Sequence, residues 1–263
     1  MPPEAQVGAP SLGDLTRAVA RDVRATLAGE LGPQPLAELV DEVHALAGSL
    51  AESLSARTPA DARRLPVCAE GCASCCYVHA VFVTAAEALR IAAHVRATRS
   101  AEAVRELRAT LDVLAPRVRD MSLAGRARER VACPLLDQAR GSCTVHASRP
   151  LLCRGYNSCD RGVCDRAFEE GSLAPLPPPA SVEQALAHKH VFAGLVLGTG
   201  AGGHDAGPYE LICALRVALG DDAEARWLAK EPVFDDAAHT RISREKELGW
   251  LEFLAREAGG IGG

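Results

Sequence analysis

Nine of the ten cysteines in this 263-residue chain lie between Cys68 and Cys164, four of them in the stretch VCAEGCASCCYVHA that begins at Val67. Such crowding needs a physical cause. The first group reads C-x3-C-x2-C-C, through Cys68, Cys72, Cys75 and Cys76; the second is spread over Cys133, Cys143, Cys153, Cys159 and Cys164. A short C-x2-C or C-x3-C loop turns two sulfurs toward one ion and so makes a chelating half-site. Thiolates held together without a cation repel one another, so either most of them stay protonated or metal ions gather them. Disulfides suit the set poorly, because the clustered number is odd and adjacent Cys75 and Cys76 cannot pair without strain. Redox thiols of the C-x-x-C kind call for a thioredoxin-like βαβ context that a helical sequence lacks. Metal binding then takes precedence, with soft thiolates selecting zinc, iron–sulfur or Cu(I) over oxygen-seeking cations. Cys213, flanked by Ile212 and Leu215, reads as a buried small apolar residue.

The rest of the chain is expected to be mainly α. Hydrophobic residues make up 48% and charged ones 24%, an ordinary globular balance, while aromatics are only 4% and alanine dominates the apolar count, which favours packed helices over strands. Leu12, Leu15, Val19, Val23 and Leu27 recur at helical spacing, as do Leu36, Leu39, Val43, Leu46, Leu50 and Leu54. His44, among them, is expected on the surface or satisfied in the core. Tyr77 to Val83 reads as a short strand or an extended segment. Thr84 with Glu87 forms a capping box for a helix to about Arg96, and Ser100 opens another, with Val104, Leu107, Leu111, Leu114 and Val118 on one face and Pro116 as its kink or end. These helices form an insert between the cysteine groups. Ser181, with Gln184 at the box position, caps a helix expected to stop near Gly198, and shorter helices follow at 211–219, 222–229 and near Trp250. The glycine-rich GTGAGGHDAG stretch lacks the Gly-Lys-Ser/Thr ending of a phosphate loop. The expected architecture is a helical domain with a loop-rich, metal-stapled cysteine cluster and at most a short strand or two. Residues 1–66 form an N-terminal helical segment, 67–170 a cysteine-cluster metal-binding domain with a helical insert, and 181–263 a C-terminal helical segment packed on it.

Charge and hydropathy bound the partners. The net charge of −5 gives no general attraction to nucleic acid, and the basic run Gly125 to Arg130 (GRARER) reads as a solvated helix end or loop. No stretch reaches the roughly 18 uninterrupted apolar residues of a membrane span, and the N-terminus has no basic-then-apolar leader, so the expected location is cytoplasmic. No nucleic-acid or membrane partner is expected.

The CASCC at Cys72 to Cys76, the CPLLD at Cys133 to Asp137 and GSCTVHASRPLLCRGYNS from Gly141 to Ser158 resemble the YkgJ-like cysteine-cluster family, a zinc- or iron-chelating domain of CxxCxxCC type. The resemblance covers roughly residues 68–165. Two positions depart from its pattern, Ala73 for the usual glycine and His146 for the usual tyrosine. The resemblance implies metal binding by Cys72, Cys75, Cys76, Cys133, Cys143 and Cys153. To these we add Cys68 and Cys164, since eight thiolates make either two closed four-sulfur zinc sites or one cluster plus a second ion, and rank Cys159 behind them. Arg149 and Arg154 are expected to neutralise the anionic site and donate to sulfur, with Pro150 fixing the turn to Cys153. Asp137, Tyr156 and Asn157 are candidates to brace the ligands.

The resulting expectation is a cytosolic metal-binding protein that chelates zinc or iron, as ions or as an iron–sulfur cluster. No catalytic triad is assembled, which favours a binding protein over an enzyme. Two alternatives stand beside it. Some relatives resemble flagellin lysine methylases, thought to pair an iron–sulfur cluster with S-adenosylmethionine, and Cys68, Cys72 and Cys75 have the matching C-x3-C-x2-C spacing. A zinc-stabilised interaction module would instead expose Trp227 and Trp250 on an apolar patch. His188 and His190, two apart on a helix, cannot face one ion together, and His204 with Asp205 is at most a minor site.

Overall fold

In a computed structural model of the protein, residues 11–29, 31–172, 180–234 and 238–241 are described, and they are mainly helical as expected. The helix expected near Trp250 lies outside these residues. Strand is confined to two antiparallel ladders of two residues per strand. Helix α1 (Leu12–Leu27) starts at Ser11, whose hydroxyl accepts from the Asp14 N–H while the Asp14 carboxylate accepts from the Ser11 N–H. It buries Val19, Ala20, Val23 and Leu27. Helix α2 (Pro33–Arg57) buries Leu36, Leu39, Val40, Val43 and Ala47, whereas Leu46 remains 41% exposed. Leu46 therefore turns off the buried face, where Ala47 takes its place, while Leu50 still packs against the core.

Short helix α3 (Ser74–Val78) carries Cys75 and Cys76 and leads to strand β1 (Phe82–Val83). Tyr77 and Val78 are thus helical, where a strand was expected. The cause is tertiary: the Tyr77 ring packs edge-on at 5.2 Å against Phe168, and such contacts override the strand preference of an aromatic residue. The insert follows as α4 (Ala85–Thr98), α5 (Ala101–Arg119) and α6 (Leu123–Glu129). The Thr84–Glu87 capping box is present. In α5 the helix runs on past Pro116 to Arg119, so the proline sits in its last turn. Beyond it come a hairpin of β2 (Leu136–Asp137) and β3 (Ser142–Cys143), then α7 (Leu151–Gly155) and α8 (Arg161–Glu170).

Helix α9 (Val182–Ala201) is buried nearly all round and packs against α1, α2 and α7. It ends three residues beyond the expected stop at Gly198, because that glycine serves packing instead of termination. A Cβ on Gly198 would sit 2.5 Å from the Ala20 carbonyl oxygen, and one on Gly194 would sit 2.6 Å from the Val19 Cβ. Two small residues one turn apart let the backbones of α1 and α9 touch. Strand β4 (Tyr209–Glu210) pairs with β1, placing Phe82 opposite Glu210, and α10 (Leu211–Ala218) and α11 (Ala223–Leu228) complete the described chain. One hydrophobic cluster joins residues from Val19 to Ala238, so the helical segments on both sides of the cysteine region share a core. Among the described residues no helix is long and apolar enough to cross a membrane.

The tail side chains singled out in the sequence have structural partners. Trp227 is fully buried, with its indole N–H donating to the Asp205 carbonyl at 2.7 Å. His204 Nδ1 lies 3.1 Å from the Trp227 carbonyl, and the Asp205 carboxylate accepts from Tyr209 and from the Phe234 N–H. His188 and His190 are both buried but turn to separate partners, the Gln184 carbonyl and Thr16. Cys213 is buried as expected.

The α1–α9 contact makes a prediction of sign. Gly198→Ala is expected to destabilise by about 1–3 kcal/mol through overpacking. Gly48→Ala, a helix glycine whose added Cβ meets nothing within 4 Å, should stabilise by roughly 0.5–1 kcal/mol. Urea midpoints at unchanged slope check both.

Candidate metal centre

The cysteine-bearing segments are brought together by contacts far apart in sequence. Gly71 and Gly141 both have positive φ, at 85° and 65°, and a Cβ on Gly141 would come within 3.0 Å of the Gly71 Cα. Only glycine at this crossing lets the first cysteine loop rest on the tip of the β2–β3 hairpin. The Cys133 N–H donates to the Cys76 carbonyl at 2.8 Å, and the Val67 N–H donates to the Ser158 carbonyl at 2.9 Å, which ties the two ends of the first group to the second group. Ser74 bonds to Asp165 at 3.1 Å, docking α3 on α8, the helix of Cys164.

A further tie passes through a buried carboxylate. Glu87 accepts from the Thr84 N–H at 3.0 Å through Oε2; its Oε1 accepts from the Leu151 N–H at 2.8 Å and lies 3.2 Å from His44 Nε2. The capping box was legible in the sequence; its two distant partners were not. Leu151 opens α7, so Glu87 holds in place the helix that presents Cys153. His44 is accordingly a core residue and not a surface one, paired through Nε2 while its Nδ1 has no hydrogen-bond partner among the described residues.

These ties surround a cavity of about 560 Å³. Cys68, Cys72, Cys75, Cys76, Cys133, Cys143, Cys153 and Cys164 all line it, and Cys159 does not. The thiols fall into two neighbourhoods. The other thiols that act on Cys72 are Cys68, Cys75 and Cys164, whereas those that act on Cys133 are Cys153 and Cys143. The vicinal pair lies between: Cys75 is coupled to Cys76 and Cys164 and also to Cys153. The pair sits in a helical turn, not in extended chain, and successive helical side chains diverge by about 100°. Cys68 is exposed at the rim. Burial pushes the Cys133 and Cys153 thiols up to about 12, so without a cation both hold their protons. Among the described residues no three His, Cys, Asp or Glu side chains are already gathered around one point, so ligation would draw the thiols inward from the wall.

The other expected residues divide. Arg149 lines the cavity, opposes the upward shift of Cys75, Cys143 and Cys153, and donates to the Cys153 carbonyl. Arg154 does not line it; its guanidinium donates to the Arg149 and Ala147 carbonyls, each at 2.6 Å, and braces the turn before α7. Tyr156 lines the cavity with its ring 3.9 Å from that of His79, while exposed His146 stands at the edge. Asp137 accepts from the Ala139 and Arg140 N–H groups and so shapes the hairpin turn. Asn157 bonds to the backbone of Ser181 and anchors the start of α9 there. Ser181 caps α9 by accepting from the Gln184 N–H, but the Gln184 amide donates to the Arg154 carbonyl at 2.8 Å instead of returning to the cap.

The basic run at 125–130 is only partly the solvated helix end expected. Arg130 reaches out to cap α8 through the Phe168 and Glu169 carbonyls. Arg126 points inward, is 2% exposed and lies 3.7 Å from Glu210. Neither Arg126 nor Glu210 was singled out as a site residue. The only sequence signal was the placement of Arg126 between two small residues, Gly125 and Ala127, in a short helix.

Residues 67–171 match the family model CxxCxxCC, described as "Putative zinc- or iron-chelating domain". The match covers the whole cysteine segment and is what this part of the chain is similar to. No curated protein and no solved structure matches the chain. The matched segment holds every thiol on the cavity wall, while Glu210, Leu211 and Ile212, which also line it, come from beyond the match.

Loss of the Glu87 carboxylate is expected to be severe. Glu87→Ala leaves the Leu151 N–H and the α4 cap without acceptors and should destabilise by about 3 kcal/mol or more. Glu87→Gln, which retains one acceptor oxygen, should lose less. Chemical denaturation of the two variants beside the wild type gives the order.

Proposed function

We propose that the cavity binds zinc or iron through cysteine thiolates, with Cys68, Cys72 and Cys164 forming an outer group and Cys133, Cys143 and Cys153 an inner one. Cys75 and Cys76 complete the two groups, so that eight sulfurs serve either two four-sulfur ions or one cluster and a second ion. The observation that carries this reading is the convergence of eight of the nine clustered thiols on one cavity. The donor set fits a soft metal: it is rich in sulfur, shielded from water on its inner side, and faced by the Arg149 guanidinium, which offsets the negative charge of a thiolate site. A bound ion would replace the protons that the buried thiols hold, and its charge would remove the repulsion among them. Arg154 acts in this reading through the turn it braces and not by touching sulfur.

An iron–sulfur enzyme is a second reading, favoured by one observation. Cys68, Cys72 and Cys75 share the outer neighbourhood in a spacing that can leave one iron of a cluster open, and the cavity has room for a substrate beside it. Of the two tryptophans that an interaction module would expose, Trp227 is fully buried and Trp250 lies outside the described residues.

Elemental analysis and an electronic spectrum on protein purified without air separate these readings. About two ions of colourless zinc per chain are expected for two closed four-sulfur sites, whereas brown protein with visible absorption favours the cluster. Cys153→Ser and Cys72→Ser should each lower the bound metal, and Cys159→Ser and Cys213→Ser should leave it unchanged. Metal-free protein that stays folded with all its thiols freely titratable would contradict both readings.

A further inference from the structure

The thiols occupy only part of the cavity wall. Arg126 from α6 and Glu210 from β4 line it as well, beside the apolar side chains of Leu135, Leu211 and Ile212. Arg126 is 2% exposed and Glu210 is fully buried. The nearest approach of the pair, Nη1 to Oε1, is 3.7 Å, beyond hydrogen-bond length. Among the described residues Arg126 Nε, Arg126 Nη1 and Glu210 Oε1 have no hydrogen-bond partner, although Glu210 Oε2 accepts from the Ile212 and Cys213 N–H groups at 2.8 and 3.1 Å. Native interiors rarely leave three polar atoms of one charged pair unsatisfied, and such groups mark a place where a ligand or water belongs. A volume of about 560 Å³ also exceeds what ions require and lies within the roughly 300–1,000 Å³ of small-molecule pockets.

We infer that the cavity takes, beside its metal, a free α-amino acid with an aliphatic side chain. The pair is neutral overall, so a ligand with net charge would leave one buried charge uncompensated, whereas a zwitterion adds none. Its carboxylate is matched to the guanidinium and its ammonium to the Glu210 carboxylate, so that each charge of the pair gains a charge-assisted partner once the two covered side chains turn toward the cavity. Its aliphatic side chain covers Leu135, Leu211 and Ile212. The amino-acid head is therefore held jointly by the insert of the cysteine domain and by the C-terminal segment, and the β1–β4 ladder that sets Glu210 opposite Phe82 fixes their spacing.

Isothermal titration of the metal-loaded, full-length protein tests this. L-Leucine is the ligand, and isocaproate and isoamylamine, which keep an aliphatic tail and one charge each, are the comparisons. Saturable leucine binding is expected, with each single-charge analogue weaker by about tenfold or more, as the loss of one buried charged partner implies. The double variant Arg126→Met/Glu210→Gln removes both charges together, so no lone charge is left buried. It should retain its metal and lose leucine binding. Absence of saturable leucine binding to the wild type would overturn the inference, as would undiminished binding by the folded double variant or by isocaproate. Metal content is read on the same samples, so failure of the metal reading and failure of this one are separate results.

Discussion

The structure depends on one buried carboxylate. Glu87 caps its own helix, meets His44 of α2 and accepts from the first N–H of α7, so three elements from different parts of the chain end on two oxygens. A carboxylate with full burial is tolerated only when its lone pairs are used, and here they are. Because α7 carries Cys153 and packs on α9, the same contact that anchors the helical core also fixes the inner end of the thiol-lined cavity.

That cavity sets opposing demands. Burial keeps the inner thiols protonated and so neutral, while the proposed metal ligation needs thiolates, so a bound cation must displace those protons. The guanidinium of Arg149 eases part of this conflict and Arg126 contributes near Cys133. Exposure falls from Cys68 at the rim to Cys133 and Cys153 within, which gives the two thiol neighbourhoods different access to solvent.

What could be read from the sequence was local. The helix starts at Thr84, Ser100 and Ser181 depend on a side chain reaching its own first turn, and each is found at its expected residue. The cysteine set was legible because thiol crowding has few explanations, and the structure gathers the expected eight on one wall while leaving Cys159 off it. Hidden from the sequence were properties that arise only between distant segments. Nothing around Glu87 announces Leu151, and Arg126 in a basic run gives no sign that Glu210 lies opposite. Gly198 resembles a stop until α1 is laid against it, and Tyr77 reads as strand until Phe168 supplies an aromatic partner.

The central claim is that sulfur from both cysteine groups holds the metal. X-ray absorption at the metal edge of anaerobically prepared protein tests it most directly. A shell of sulfur at about 2.3 Å with about four scatterers per zinc, or its iron–sulfur counterpart, is the expected result. A first shell dominated by nitrogen or oxygen would contradict it.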